Sequence, residues 1–457
     1  MSCVHLIKHC FQKMSLLLRL PVDILLGNVL PYLLTVEDIS TLDVAFCQRS
    51  YRTALFQILG SGRVCLERLE ITDGEHHDPI PCESYCSYLR WLSSRQLCVD
   101  GIDITDCLDI ELFLSLNIKS MMRRVTILRV YHSALLKAGG RRLLRVLRAC
   151  HNLLHLTLGA VDAQERNSNR ITPTTLLEIA RLYPGLRSLH LHGFRGTGFS
   201  LRAVFRNLSQ LEEVRVSSEF SEEVDLMNGG YLQAIGKFCP RVRSLHIEDA
   251  DEALEGLRLI AQHGRLEHLA LVGIQDDPGR LGPTVEAMLK SSPNLRELTL
   301  RGCEVFAENL CELSTRCPRL HKLVLWSDLG GDQGEGGEDA FLGLCELLVP
   351  ALPSLEELSV HDCVTADLFA SRWVPLFRAG CLRRVRLMLD VLSRSQLKQL
   401  WEFFAYDQLH SLRCVELVFH EQQRGVHDHM QLLDELNSNA GSELRCHVEV
   451  CTSLHFF

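Results

Sequence analysis

Long uninterrupted apolar runs and an excess of basic residues are both missing from this sequence. The N-terminal segment MSCVHLIKHCFQKMSLLLRLPVDILLGNVLPYLL is rich in apolar residues, but Arg19, Pro21, Asp23 and Pro31 interrupt it. A membrane-spanning helix needs about 20 mostly apolar residues, so we expect no membrane anchor. The chain carries 48 Lys and Arg against 57 Asp and Glu, a formal net charge of −9. Because a nucleic-acid binder needs a basic face to neutralise phosphates, this balance argues against that function.

Motifs of catalysis and cofactor binding are missing as well. The sequence contains no Gly-rich phosphate-binding loop, no nucleophile elbow and no paired CxxC. The acidic, Gly-rich run LGGDQGEGGEDAF lacks the ligand order of a calcium loop, and we interpret it as a surface insertion. We therefore predict that the chain is not an enzyme and that it binds neither a cofactor nor a metal.

Cysteine, in contrast, is abundant, with 19 residues and no recognisable export signal. Such cysteines are expected to be reduced thiols in the cytosol or the nucleus. A free cysteine packs well as a small hydrophobic residue. The sequence thus predicts a cytoplasmic or nuclear protein whose cysteines serve its core.

A short phrase of the form apolar-x-x-apolar-x-apolar recurs along most of the chain. Between Leu153 and Leu412 it returns with a mean spacing of about 29 residues, within the range typical of leucine-rich repeats. The individual spacings vary from 24 to 35 residues, so the array is irregular. The phrases begin at Val125, Leu153, Leu186, Leu211, Val242, Leu266, Leu295, Leu320, Leu355, Leu382 and Leu412, and a degenerate copy lies at Leu444 to Val450.

The residues between the phrases indicate helices. In TPTTLLEIARLYP, Thr172 can cap a helix, Pro173 suits its first position, and Pro184 ends it. The alternating end of each phrase indicates a strand that buries every second side chain. One strand–turn–helix–turn unit cannot bury its own apolar face, so neighbouring units must stack. The pattern predicts an α/β solenoid, a horseshoe with a parallel concave sheet and outer helices.

Several predicted helices end in a small residue or a thiol followed by proline, as in Cys239-Pro240 and Cys317-Pro318. Cys303 and Cys363 come just after a strand. These positions follow the phase of the repeat, which indicates a packing role. The chain resembles the cysteine-containing subclass of leucine-rich-repeat proteins, a subclass often found with F-boxes.

The segment 18–60 does not follow the repeat. It predicts three short helices with apolar stripes, too small a set to bury its own core. Its motifs Leu20-Pro21-Val22-Asp23-Ile24-Leu25, Tyr32-Leu33, Asp38-Ile39 and Arg49-Ser50-Tyr51-Arg52 resemble those of the F-box. Asp23 stands where the family often has Glu, and Tyr51 where it often has Trp.

The resemblance implies that this segment binds a Skp-type adaptor of a cullin-type ubiquitin ligase, with the repeats holding a protein substrate. The alternative is a leucine-rich-repeat scaffold in which 18–60 is a helical cap without a ligase role. The expected domains are a tail at 1–17, the F-box-like module at 18–60, a transition or atypical first repeat at 61–124, and repeats at 125–457. The expected adaptor contacts are Leu20, Pro21, Ile24, Leu25, Val29, Leu33, Ile39 and Leu42.

The residues that flank the last two apolar positions of each phrase should point out of the concave sheet. Alignment of the repeats predicts an apolar face with a basic edge, and Trp326 has the composition of a binding hot spot. Burial of Trp326 under the insertion at 327–339 is the alternative. His190 and His192 form an HxH pair without further ligands in reach, so we expect no zinc. The predicted substrate-binding residues are His190, His192, Arg215, Val272, Arg301, Val324, Trp326, His361, Arg384 and Arg386.

Overall fold

The structure is a computed structural model of the 457-residue chain, which divides into two compact units, Met1–Arg195 and Gly196–Phe457. Each unit is described by itself. The described residues are 89–90, 92–94, 99–105, 113, 122–131, 140–159, 171–194, 198–218, 227–228, 230–274, 278–303, 310, 312–326, 352–364, 382–389, 414–420 and 445–451. The segments 1–17 and 18–60 therefore lie outside the described residues.

In the first unit, parallel strands alternate with helices. The order of the strands in the sheet is β1-β2-β3-β4, which is also their order in the chain. Each new repeat therefore adds its strand at the edge of the previous one. The described elements are β1 (Gly101–Ile104), β2 (Ile127–Val130), α1 (Arg141–Leu147), β3 (His155–Leu158), α2 (Pro173–Leu182) and β4 (Ser188–Phe194).

The second unit continues the same alternation. Its described elements are β5 (Glu213–Ser218), β7 (Ser244–Glu248), β9 (His268–Val272), β10 (Glu297–Arg301), β11 (Lys322–Trp326), β12 (Glu357–Val364), β13 (Arg384–Leu389), β14 (Cys414–His420) and β15 (Arg445–Cys451), with α3 (Gly198–Asn207), α4 (Gly230–Phe238), α5 (Leu254–Ala261), α6 (Pro278–Ser291) and α7 (Leu313–Arg316). These strands pair in parallel and in chain order. Two further strands, β6 (Met227–Asn228) and β8 (Ala250–Asp251), pair with each other.

Every phrase of the sequence repeat becomes a strand of these sheets, including the degenerate copy, which forms β15. The leucine-rich-repeat solenoid predicted from the sequence is therefore confirmed. The leucines at the fourth position of the phrase lie in register on neighbouring strands, for example Leu269, Leu298 and Leu323. They are buried, as predicted, and so are the other members of the set, Leu189, Leu245 and Leu358.

The start of α2 shows why the intervening segments become helices. The Thr172 side chain accepts a hydrogen bond from the backbone N–H of Thr175, and Pro173 occupies the first helical position. Thr172 thus satisfies one orphan N–H of the helix start, and Pro173, which has no backbone N–H, removes another, as the sequence predicts. Helix α6 begins at Pro278 and contains Pro283 in its interior. The Thr284 hydroxyl donates to the Arg280 carbonyl at 2.8 Å within this helix.

The β6–β8 pair is a feature that the sequence analysis did not predict. Its second strand, β8, follows β7 after Asp249, whose φ is 52°, and is followed by Glu252, whose φ is 46°. Both residues adopt the left-handed conformation that is uncommon outside glycine. A left-handed backbone conformation leaves the spacing of apolar residues unchanged, so the repeat pattern did not predict these two extra strands.

Side chains that follow one helix bind the carbonyl groups at the end of the preceding helix. The Tyr183 hydroxyl donates to the Cys150 carbonyl at 2.8 Å and also to that of Leu147. His263 Nε2 donates to the Gly236 carbonyl at 2.6 Å. The last carbonyls of a helix have no partner within the helix, so each repeat completes its neighbour.

Two buried cysteines make the same contact through their thiols. Cys239 Sγ lies 3.5 Å from the Leu208 carbonyl, and Cys317 Sγ lies 3.7 Å from the Ser292 carbonyl. Both thiols are free. These contacts give the cysteines the packing role that their place in the repeat predicts. We call this set of contacts, made by Tyr183, Cys239, His263 and Cys317, the carbonyl ladder.

Replacement of Leu298 by alanine tests the phase of the strands. Leu298 is fully buried, so we expect Leu298→Ala to lower the free energy of unfolding by about 2–5 kcal/mol. The matched control is Thr299→Ala, because Thr299 is the next residue on β10 and lies half-exposed on the opposite face. We expect it to change stability by about 0.5 kcal/mol or less. Urea unfolding followed by circular dichroism measures both, and equal losses would contradict this strand phase.

The carbonyl ladder predicts low thiol reactivity. Burial raises the pKa of Cys150 and Cys239 to about 12 and that of Cys317 to about 11. Since the thiolate is the nucleophile, these cysteines should react slowly with N-ethylmaleimide at pH 8 in the native protein and rapidly after unfolding. Cys414, which is only partly buried, provides the comparison. Peptide mass spectrometry over time measures each site, and native Cys239 reacting as fast as Cys414 would refute the prediction.

Candidate functional site

One face of the strands in the second unit carries half-exposed side chains, and we call it the open face. In β9, β10 and β11 buried and half-exposed residues alternate. The buried residues pack in the core, so the half-exposed ones lie on the opposite side of the sheet. From β9 to β13 the open face has a first row (His268, Glu297, Lys322, Glu357, Arg384) and a middle row (Ala270, Thr299, Val324, Ser359, Arg386). A last row begins with Val272 and Arg301, and the backbones of Trp326, His361 and Met388 continue it in register.

The rows are defined by the pairing register of the strands. Thr299 lies opposite both Ala270 and Val324, and Arg301 lies opposite both Val272 and Trp326. The same register continues into β12 and β13. The alignment of repeats made from the sequence predicts these neighbours, and the register confirms it.

Basic and acidic residues alternate along the first row, so that opposite charges lie next to one another. His268 Nδ1 lies 3.4 Å from a Glu297 carboxylate oxygen. Lys322 and Arg384 both approach Glu357, at 3.8 Å and 3.4 Å. Opposite charges on neighbouring strands attract one another, so this row presents no net charge of one sign to a partner.

The two arginines of β13 are paired in the same way. The Arg384 guanidinium lies 3.7 Å and the Arg386 guanidinium 3.8 Å from the Glu416 carboxylate on β14. The sequence analysis expected a basic edge at these arginines. Glu416 and Glu357 lie beside these arginines, which the alignment of repeats did not predict, and the basic edge itself stays a prediction.

At the other side of the unit, Arg215 belongs to a cluster with His246 and Glu248. Glu248 is almost fully buried, with 7% of its surface exposed. His246 Nε2 donates to its carboxylate at 2.6 Å, and Arg215 Nη2 lies 3.5 Å from the same oxygen. A buried carboxylate is stable only when it is paired, so part of Arg215 is committed to holding Glu248.

The middle row between these clusters is uncharged. Ala270, Thr299, Val324 and Ser359 lie on four consecutive strands and are all half-exposed. The backbones of Trp326 and His361 lie in register beside this strip in the last row, while their side chains fall outside the described part of the chain. The structure thus brings Val272, Arg301, Val324, Trp326 and His361 together on adjoining strands.

His190 and His192 lie on β4 in the first unit. Their rings are 6.4 Å apart in an edge-to-face arrangement, and His190 Nε2 shares a 3.2 Å hydrogen bond with the Ser188 hydroxyl. Among the residues that the structure describes, no group of three or more His, Cys, Asp or Glu is arranged to hold a metal. Within the same residues, no helix is long and apolar enough to cross a bilayer.

The predicted adaptor contacts all lie outside the described residues. They are Leu20, Pro21, Ile24, Leu25, Val29, Leu33, Ile39 and Leu42.

The carboxylates that complete the charge clusters are the residues that the sequence analysis missed. Glu248, Glu357 and Glu416 lie one strand away from the basic side chain that each contacts. Comparison of opposite charges down the aligned repeats would have revealed them, because cross-strand neighbours occupy equivalent positions in successive repeats.

Comparison with known proteins gives distant likenesses. No family model and no curated protein matches the sequence. Among solved structures, the complex of Rad7 and Elc1 from yeast is matched with 15% identity and a TM-score of 0.40, over 79% of this chain and 96% of that one. The TLR13–ssRNA13 complex is matched with 13% identity and a TM-score of 0.34, over 87% of this chain and 55% of that one. At these TM-scores neither likeness adds to what the strands and helices of the chain themselves show, which is a leucine-rich-repeat solenoid.

Proposed function

We propose that the chain is a protein-binding receptor that holds its partner on the open face of the second unit. The observation that carries this proposal is the uncharged strip of Ala270, Thr299, Val324 and Ser359. The four side chains are half-exposed and lie on consecutive strands. At about 4.8 Å between strands, the strip extends for roughly 14 Å.

The surroundings of the strip suit a protein surface. The charged groups beside it, Glu357, Arg384 and Arg386, are partnered within the chain, so the neighbouring surface gives no electrostatic reason to select a strongly charged ligand. Protein interfaces combine a weakly charged centre with aromatic and arginine anchors and a polar rim. Trp326 and Arg301, opposite one another in the last row, supply the residue types of such anchors.

The sequence of 18–60 supports a more specific role. Its Leu20-Pro21 start, its Asp38-Ile39 turn and its Arg-Ser-Tyr-Arg segment resemble an F-box. In this role the segment binds a Skp-type adaptor of a cullin-type ubiquitin ligase, and the repeats present a protein substrate to it. The chain then supplies recognition, and the chemistry belongs to other subunits of the ligase.

A charge placed in the middle of the strip tests the receptor surface. We expect Val324→Glu to reduce capture of the partner at least tenfold while the melting temperature stays close to that of the wild type, because Val324 is half-exposed. The matched control is Gln233→Glu, which adds the same charge at an exposed site on α4. Affinity purification with quantitative mass spectrometry measures capture. Equal sets of captured proteins for both variants would place the binding surface elsewhere.

Trp326→Ala addresses the two interpretations of that residue. A hot spot predicts lost capture with unchanged melting, since a buried interface aromatic contributes several kcal/mol. Coverage by the insertion predicts a lower melting temperature. Unchanged capture and unchanged melting would remove Trp326 from the proposed surface.

The ligase role has its own test. We expect the double variant Leu20→Ala, Pro21→Ala to lose pull-down of a Skp-type adaptor and to keep capture of the partner by the repeats. Val324→Glu serves as the reciprocal control, because it should keep the adaptor and lose the partner. Full adaptor binding by the double variant would refute the F-box assignment. Unfolding of the repeats in that variant would favour the alternative, a scaffold in which 18–60 is a helical cap.

A further inference from the structure

In the second unit, the turns that lead from a helix into the next strand carry exposed arginines. Three of these turns share one form: a buried residue, a proline, an exposed polar residue and a buried apolar residue. They are Cys239-Pro240-Arg241-Val242, Ser292-Pro293-Asn294-Leu295 and Cys317-Pro318-Arg319-Leu320. In each turn the backbone N–H of the fourth residue donates to the carbonyl of the first, at 3.3, 3.1 and 3.0 Å, and proline suits the second position. Each turn therefore holds its third residue outward on a constrained backbone.

The residues just before the repeat phrases form a row across these turns, and the row has no acidic member. From β5 to β12 it consists of Gln210, Arg241, Arg265, Asn294, Arg319 and Ser354. Its three arginines are exposed, and Arg319 donates to the Asn294 side-chain oxygen at 3.0 Å. Among the described residues, Arg241 and Arg265 form no ion pair. This row therefore presents positive charge to the solvent.

A second row, two residues further along the chain, adds two exposed arginines and one carboxylate. Backbone hydrogen bonds join its members in the order Glu212, Arg243, Glu267, Arg296, His321 and Glu356. The Glu267 carboxylate lies 3.1 Å from the Arg243 guanidinium and 3.9 Å from that of Arg296, while Glu212 and Glu356 mark the two ends. We call the five exposed arginines of both rows the turn ridge: Arg241, Arg243, Arg265, Arg296 and Arg319.

The turn ridge concentrates positive charge in a chain whose net charge is −9. Five guanidinium groups accompany one carboxylate, Glu267, which is shared between Arg243 and Arg296. Ion pairs between exposed groups contribute little to stability, so a carboxylate of a ligand can take the place of Glu267 on these arginines.

The width of the turn ridge indicates what it can bind. It is bordered on the sheet side by Glu297 and Glu357, and on the helix side by Glu286 and Glu312, so a broad polyanion such as a nucleic-acid duplex would meet acidic groups. The turns at 239–243, 262–267, 291–296 and 316–321 contain no Phe, Tyr or Trp, on which the bases of a single strand stack. From Arg241 to Arg319 the ridge crosses three strand steps, roughly 14 Å, the length of about four residues of extended peptide.

We propose that the turn ridge binds an extended acidic segment of a partner protein, rich in Asp and Glu, with Arg241 and Arg265 as its anchors. A guanidinium forms strong, charge-assisted hydrogen bonds with carboxylates. Arg241 and Arg265 lie on adjacent repeats, about 5 Å apart across the sheet, so two carboxylates of one peptide can reach both. The proposal goes beyond the proposed function, because the ridge lies on the turns before the strands and not on the open face.

The experiment uses the full chain and a fluorescein-labelled peptide of alternating Glu and Ser, with fluorescence anisotropy as the measurement. We expect the peptide to bind, and its analogue with Gln in place of every Glu to bind about tenfold or more weakly. The double variant Arg241→Gln, Arg265→Gln should weaken binding of the Glu peptide about tenfold or more, the effect of losing hydrogen bonds between charged groups. The double variant Arg241→Lys, Arg265→Lys should retain part of the affinity, because the charges remain.

The matched control is the double variant Arg202→Gln, Arg280→Gln. It removes the same two charges from exposed positions in the first half of α3 and α6, at the other end of the helices from the turns. Its affinity for the Glu peptide should equal that of the wild type, and an equal loss in both double variants would overturn the proposal. If the Arg241 and Arg265 variant lowers the melting temperature, Arg319→Gln takes its place, and wild-type affinity there would overturn the proposal. Equal binding of the Glu and Gln peptides would also overturn it, as would tighter binding of an oligodeoxythymidine of the same charge.

Val324→Glu separates this proposal from the receptor surface on the open face. It should bind the Glu peptide with wild-type affinity, and a loss there would place the peptide on the open face and overturn the turn ridge as its site. Loss of partner capture in Val324→Glu together with no binding of the Glu peptide to the wild type would refute the acidic-segment proposal alone. Peptide binding that depends on Arg241 and Arg265, together with unchanged capture in Val324→Glu, would refute only the proposed surface on the open face.

Discussion

The dependence of each repeat on the next is the constraint that governs this structure. A helix leaves its last carbonyl groups without partners, and in this chain Tyr183, Cys239, His263 and Cys317 supply donors to the helix that precedes their own. In the sheet, the backbone N–H and C=O groups of each strand form hydrogen bonds with those of the neighbouring parallel strands. A repeat alone has neither a closed core nor satisfied helix ends, so the stack is the smallest stable form.

The same constraint determines the chemistry of the ladder side chains. A donor that reaches a carbonyl in the preceding repeat must fit between the ends of two helices and must tolerate burial. Cysteine meets both conditions, because its thiol is a weak donor on a small apolar side chain. Tyr183 and His263 make the same contact with larger side chains. The burial that places these thiols on the ladder also raises the pKa of Cys239 to about 12, so a structural position and low reactivity have one cause.

A parallel register also brings equivalent positions of successive repeats into contact across the sheet. On the second unit this places Lys322 and Arg384 on either side of Glu357, so that opposite charges lie next to one another, with an uncharged strip beside them. On the first unit Arg129 lies opposite Asp103, and three histidines occupy outward positions on β3 and β4. The outward positions therefore differ in charge from strand to strand, while the buried leucines keep their place in the core.

The sequence by itself determined the repeat, the strand phase and the direction in which Leu298 and Thr299 point, because burial of every second side chain leaves a period that is visible without coordinates. It also determined the start of α2, since Thr172 and Pro173 act on their own helix. Only the tertiary structure decided that Glu416 lies beside both Arg384 and Arg386, and that β6 and β8 pair as two extra strands. These outcomes depend on side chains from different repeats and on backbone conformations with no periodic signature. Local pattern therefore specified the framework of this protein, and contacts between repeats specified the distribution of charge on its outward faces.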